Sequence, residues 1–154
     1  MGVDNQVFSA PQRTLLTAVL DRIIPANGAL PAAGELGVGT FVENVAGGDP
    51  QLTRLFNEGL RQIEIEASQE SDSGFTALAG DAQDSVLRGV EASAPVFFEQ
   101  LVRQTYNGYY TSPRVFEHIG YELPGPPVPG AQPELLDESL LDKQRRRAPF
   151  WTKV

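Results

Sequence analysis

Residues 9–25 read SAPQRTLLTAVLDRIIP, and this stretch decides the fold class. Ser9 and Gln12 stand at the S-x-x-Q spacing of a capping box. There the hydroxyl and the amide oxygen each take one of the backbone N–H groups left unpaired at a helix start. Pro11 falls in the first turn, where a missing N–H is tolerated. Leu15, Leu16, Val19, Leu20 and Ile23 then recur at helical spacing, and Pro25 stops the run. The product is a helix with one apolar side that needs partners to cover it.

Outward from this helix the same grammar repeats. A turn-rich link follows (Asn27, Gly28, Pro31, Gly34, Gly37, Gly39), and Thr40 with Glu43 reads as a second capping box ahead of Phe41, Val42 and Val45. Asp49-Pro50 is an N-cap with proline at the first helical position, opening a long helix marked by Leu52, Leu55, Phe56, Leu60 and Ile63 that ends before Ser71. Phe75 to Leu78 is a short helical turn, and Asp81 starts a helix through Val86, Leu87 and Val90. Ala94-Pro95 opens the next, with Phe97, Phe98, Leu101, Val102 and Thr105 on its apolar side. Ser112-Pro113 repeats the cap-plus-proline device, and Gly120 sits where a helix ends in the left-handed conformation. There is no internal repeat and no alternating strand run with hairpin turns. The expectation is an all-α fold: one compact domain of about six or seven helices over residues 9–123, at a typical length of roughly 11–12 residues each.

The tail is different in kind. Residues 124–133 read PGPPVPGAQP, five prolines and two glycines in ten residues, which neither continue a helix nor join a sheet ladder. A short piece from Glu134 to Lys143 follows, then Arg145-Arg146-Arg147-Ala148-Pro149-Phe150-Trp151, which includes the chain's one tryptophan. Residues 124–154 therefore read as an extended Pro-rich C-terminal arm. Leaving a Phe/Trp pair exposed is costly. Two readings stand: an arm that wraps a partner, or a tail that folds back on its own domain.

At 154 residues and 41% hydrophobic, the chain can bury a core without disulfides or metal. The lack of cysteine removes thiolate zinc sites, iron–sulfur clusters, Cys nucleophiles and haem attachment by CxxCH together. All twenty acidic residues lie at or before Asp142, against seven arginines and no lysine there, a balance of −13. The last twelve residues carry Lys143, Arg145, Arg146, Arg147 and Lys153, a balance of +5. So acidic a body repels phosphate backbones, which argues against nucleic acid as partner. No apolar run approaches the roughly 18–20 residues of a membrane helix, so no membrane span is expected. Residues 1–9 show neither the basic nor the apolar region of a signal peptide.

Catalytic machinery was sought and not found. The lone histidine, His118, adjoins Glu117, so the E-x-x-H spacing of helical di-iron sites is missing, and no G-x-S-x-G elbow accompanies it. Glu64, Glu66, Glu70 and Asp72 are close in sequence, and the pair 66/70 are like charges at i,i+4, the mark of a solvated face. The Gly34/Gly37/Gly39 cluster lacks the β-α context of a dinucleotide turn. No catalytic, cofactor-binding or metal-binding residue is assigned. The four tyrosines, Tyr106, Tyr109, Tyr110 and Tyr121, are concentrated near one another, with Tyr106 and Tyr110 on one helical face. They suit either an interface, offering apolar area with a hydroxyl, or core packing.

Three segments carry a resemblance. Leu15 to Pro25 with its Pro/Ala/Gly-rich loop, then Phe75, Leu78 and Asp84-Ser85-Val86-Leu87, and above all Phe97 to Pro113 (FFEQLVRQTYNGYYTSP) with Gly120-Tyr121, resemble the gluconate 2-dehydrogenase subunit 3 family. The resemblance covers roughly residues 14 to 130, and the T-Y-x-G-Y-Y-x-S-P block is its distinctive part.

The resemblance implies a non-catalytic small subunit of a sugar, glycoside or alcohol dehydrogenase. In that family the small subunit binds a large FAD-containing subunit of the glucose–methanol–choline type, sometimes with a cytochrome subunit. The flavin would lie in that partner and not in this chain, which would assist its folding, stability or export. The expected contact residues are Tyr106, Tyr109, Tyr110, Tyr121, Pro126, Pro127, Arg146, Phe150 and Trp151. Many members begin with a twin-arginine export signal, which residues 1–9 do not show. A cytoplasmic complex is therefore expected, with a periplasmic one as the alternative if the partner carries the signal. Two rival functions remain at this point, a free-standing helical adaptor or chaperone and a stand-alone enzyme built on His118.

Overall fold

In a computed structural model, residues 7–122, 125 and 138–147 are described. The chain divides into two units, residues 1–122 and 123–154. The first holds six α-helices: α1 (Ala10–Ile23), α2 (Val38–Gly47), α3 (Pro50–Glu70), α4 (Gly80–Ser93), α5 (Pro95–Tyr110) and α6 (Pro113–Ile119), with one 3-10 turn at Phe75–Ala77. The second, as described, holds a 3-10 turn at Glu138–Leu141 and a four-residue helix α7 (Asp142–Arg145), with Arg145 facing Asp142 at 3.8 Å. Among the described residues there is no strand, only an isolated bridge between Asn27 and Leu30. The all-α expectation holds. No helix among the described residues is long and apolar enough to cross a membrane.

The local signals produce the helices they predict. Ser9 Oγ accepts from Gln12 N at 3.4 Å and Gln12 Oε1 accepts from Ser9 N at 2.8 Å, closing the capping box of α1. Asp49 accepts from Gln51 N at 2.7 Å at the head of α3, and Pro95 and Pro113 occupy the first turns of α5 and α6. Gly120 ends α6 at φ 67, the left-handed region.

Two caps are misread in the sequence. Ser112 precedes α6 as expected, but its side chain makes no capping hydrogen bond. α2 starts at Gly37, whose φ of 85 needs glycine, and carries no side-chain cap. Thr40 lies inside that helix, and Glu43 does not reach back to it. Glu43 instead accepts from Arg13 Nε and Nη2, both at 2.8 Å, and from Phe8 N at 3.1 Å. A tertiary ion pair with α1 has taken the carboxylate that local spacing assigned to a box.

The link between α1 and α2 is built, not slack. Asp21 Oδ1 accepts from the Gly34 and Glu35 N–H groups at 2.7 and 3.2 Å, and Ala32 and Ala33 are buried. Helix α5 is central, packing on α2, α3, α4 and α1. Two glycines allow this: Phe97 lies on Gly59 of α3, and Val38 and Phe41 of α2 close over Gly108. Around Phe97 an aromatic series runs Phe8–Phe56–Phe97, with centroids 6.3 and 5.6 Å apart. Arg22 at the end of α1 binds Asp84 of α4 through Nε and Nη2, both at 2.7 Å, so the helix that opens the fold is tied to its middle.

Candidate interaction surface

Helix α5 places two i+4 rows side by side, one residue or about 100° apart. Phe97, Leu101, Thr105 and Tyr109 form the inward row and are all buried. The Thr105 hydroxyl donates to Leu101 O at 2.6 Å, so its burial leaves no polar group unpaired. Phe98, Val102, Tyr106 and Tyr110 form the second row, half-buried at its start and exposed at its end. Tyr106 and Tyr110 are each 46% exposed and stack on one another, centroids 5.8 Å apart and planes 20° off parallel.

The expected contact residues therefore separate. Tyr106 and Tyr110 present aromatic surface. Tyr121, after the Gly120 turn, packs against Phe116 at 5.2 Å and remains 52% exposed. Tyr109 needs correcting: at 2% exposure it is a core residue, its hydroxyl donating to Pro31 O at 2.9 Å and its ring set edge-on to Tyr110. Burial pushes its phenol above the ordinary value of 10.0, with Tyr110 adding to the rise and Arg114 opposing it. Tyr109 holds up the neighbouring tyrosine from beneath and offers no contact surface. Arg146 is exposed just beyond α7. Pro126, Pro127, Phe150 and Trp151 lie outside the described residues.

A groove runs beside the second row, between α4, α5 and the end of α1. Ile23, Leu87, Phe98, Val102 and Tyr106 line its apolar part, with Arg22, Asp84, Arg88 and Glu91 on the rim, enclosing ≈ 310 Å³. It continues past Phe98 and Val102 to Pro95, Glu99 and Arg103. Arg22 holds the Asp84 carboxyl below the ordinary value of 3.8, and Arg103 pairs with Glu99 at 2.6 Å. A second cleft, ≈ 500 Å³, lies between α3 and the α4–α5 corner, lined by Leu55, Gly59, Pro95, Val96 and Phe97.

The histidine and the clustered carboxylates of the sequence lie apart among the described residues. His118 is exposed in the last turn of α6 and hydrogen-bonds to no side chain among the described residues. Glu64 accepts from Phe75 N at 3.4 Å and Glu66 from Gln62 Nε2 at 3.1 Å, which are structural uses of carboxylates. Among the described residues no three His, Asp or Glu side chains come together as a metal site. Sequence reading missed the Arg22–Asp84 tie and the groove it borders, since partners 62 residues apart leave no local periodic mark.

The family model of gluconate 2-dehydrogenase subunit 3 matches residues 10–127, a span that takes in α1 through α6, the Arg22–Asp84 tie and the stacked tyrosines. No curated protein and no solved structure matches the chain. The chain belongs to the gluconate 2-dehydrogenase subunit 3 family, and so is an accessory subunit of a multi-subunit dehydrogenase complex.

Proposed function

We propose that this subunit binds and stabilises a large FAD-containing subunit of the glucose–methanol–choline type, which oxidises a hydroxyl of a sugar, glycoside or alcohol. The flavin and the catalytic residues belong to that partner, and a cytochrome subunit is a further candidate member of the complex. The observation that supports this reading best is the Tyr106–Tyr110 stack. It sits within the T-Y-N-G-Y-Y-T-S-P block of residues 105–113, exposed on a helix whose neighbouring row of residues is fully buried. Stacked tyrosines bring apolar area that is already ordered, so little side-chain entropy is lost when a partner covers them. A chaperone-like role follows from the same contact, since any ligand of the folded state stabilises it by mass action.

Co-expression of the tagged chain with a glucose–methanol–choline-type flavoprotein encoded in the same genome is the test. The large subunit should co-purify with its flavin absorbance, and the pair should oxidise the sugar with a dye acceptor. Replacing both Tyr106 and Tyr110 by Ala should weaken retention by a factor of about 30 or more, the effect of losing a contact of roughly 2 kcal/mol. Flavin bound to the isolated chain, or sugar oxidation by it, would sink the reading.

A further inference from the structure

We infer that the α4/α5 groove seats an amphipathic helix of the large subunit, with aliphatic side chains on Phe98 and Val102, a carboxylate toward Arg88 and a cation toward Glu91. This rests on the subunit reading above and adds the place, the secondary structure and the charge pattern of the partner.

Three features of the groove lead there. Its apolar wall is an i+4 row, Phe98–Val102–Tyr106–Tyr110, standing about 6 Å apart per turn along a helix. Such a ridge interdigitates with the i+4 ridges of another helix, the commonest way helices pack. A strand would need a sheet edge to pair with, and the described residues include no strand. Helix-in-groove docking is the mode that an i+4 ridge suits best.

The rim then sets the partner's charge. Residues 7–122 carry fifteen acidic groups and seven arginines, and three of those arginines, Arg22, Arg88 and Arg103, border this groove. Asp84, Glu91 and Glu99 stand beside them, so the groove is balanced in charge within an acidic body and can meet both a carboxylate and a cation. Arg22 and Arg103 already hold Asp84 and Glu99. Arg88 and Glu91 take part in no ion pair among the described residues, although Arg88 helps to hold the Asp84 carboxyl low. The two are i,i+3 on α4, one turn apart along the same rim. One free cation followed by one free anion is a directional mark, which fixes the orientation of a helix laid beside it.

The chain has no cysteine, so single cysteines report cleanly. Val102→Cys is placed in the groove and Ile65→Cys on the exposed side of α3 as control. In the purified complex, alkylation by a maleimide should be at least tenfold slower at 102 than in the free subunit, and unchanged at 65. A photo-crosslinking residue at 98 should attach to large-subunit positions recurring every three or four residues, the signature of a helix. Swapping the rim charges, Arg88→Glu with Glu91→Arg, should weaken association tenfold or more, while the free subunit stays folded with at most a small fall in melting temperature from the carboxylate set beside Asp84. If the wild-type chain retains the large subunit but labelling at 102 is not slowed, the groove assignment is wrong and the subunit reading survives. Attachment at every second residue overturns the helix. If the wild type retains no large subunit at all, the subunit reading fails first and this inference falls with it.

Discussion

The ring of Phe97 rests directly on the backbone of Gly59, so that α5 meets α3 with no α3 side chain between ring and backbone. A Cβ at position 59 would overlap the ring carbons. The ring is 2% exposed and set edge-on to Phe56, planes 84° apart, so any shift toward the cleft beside Gly59 breaks that contact. Two effects compete in Gly59→Ala. Helix propensity favours alanine by about 1 kcal/mol, while overpacking a closed core costs about 1–3 kcal/mol. Packing offsets or outweighs propensity, and Gly59→Ala should lower stability by up to about 2 kcal/mol in a urea melt, with no gain. Gly89→Ala on α4 is the contrast: its Cβ meets only Glu66 Oε2 at 3.8 Å. With no clash to offset propensity, that change should raise stability by about 0.5–1 kcal/mol.

Glu43 makes the fold acid-sensitive in a predictable way. Hydrogen bonds from Arg13, then from the Phe8 backbone, hold its carboxyl below the ordinary value of 4.5, against the opposing effect of burial. A carboxylate whose folded value is depressed contributes stability that is present above the unfolded value. That stability is lost as pH falls through the folded one. Unfolding should therefore become easier as pH drops below about 4.5. The side chain is only 12% exposed, so Glu43→Gln should cost about 1–3 kcal/mol at neutral pH and flatten the acid limb. Asp84 acts in the same direction through Arg22, but both side chains are about a third exposed and solvent screens the pair. Urea melts across the acid range check this, and an unchanged slope in the Gln variant would refute it.

Tyr109 supplies the alkaline counterpart. A phenol whose folded value is raised contributes stability that is complete below its unfolded value, near 10.0, and lost as pH rises above it. Tyr109→Phe removes that limb and also leaves the buried Pro31 carbonyl without its donor at 2.9 Å. The net expectation at neutral pH is a loss of about 1–2 kcal/mol. A phenolate absorbance titration of the folded protein should lose its late component in this variant. If the late component stays, Tyr109 is not the buried phenol.

How much of this was legible depends on the range of the interaction. Ser9–Gln12, Asp49–Pro50, Pro95, Pro113 and Gly120 act within one turn, and each does what its residue type predicts. The Thr40–Glu43 spacing was equally local, yet Arg13 lies 30 residues away and offers Glu43 a bidentate pair that a backbone N–H cannot match. The tyrosines show the other limit. Tyr106, Tyr109 and Tyr110 are chemically alike, and only the register set by Gly108 against α2 decides that Tyr109 turns inward while the others face out. The groove depends on how far α4 stands from α5, a distance with no periodic trace in either helix.

The tail yields the last prediction. Among the described residues every member of the core cluster lies between Phe8 and Val115. Deleting 124–154 should leave a helical domain with an unchanged melting temperature. The large subunit should then be held less well, for separable reasons. A proline-rich run loses little backbone freedom on ordering, so it wraps a partner at low entropic cost. Phe150 and Trp151 would anchor it, at about 2 kcal/mol or more each, and retention in the double Ala variant should fall at any salt. Arg145, Arg146 and Arg147 would steer it through exposed charge, so their replacement should matter at low salt and fade at high salt. Melting and retention of the truncated chain, measured at both salt levels, separate the outcomes. Full retention after truncation removes the arm from the interface. A truncated chain that unfolds would mean that Phe150 and Trp151 complete this protein's own core.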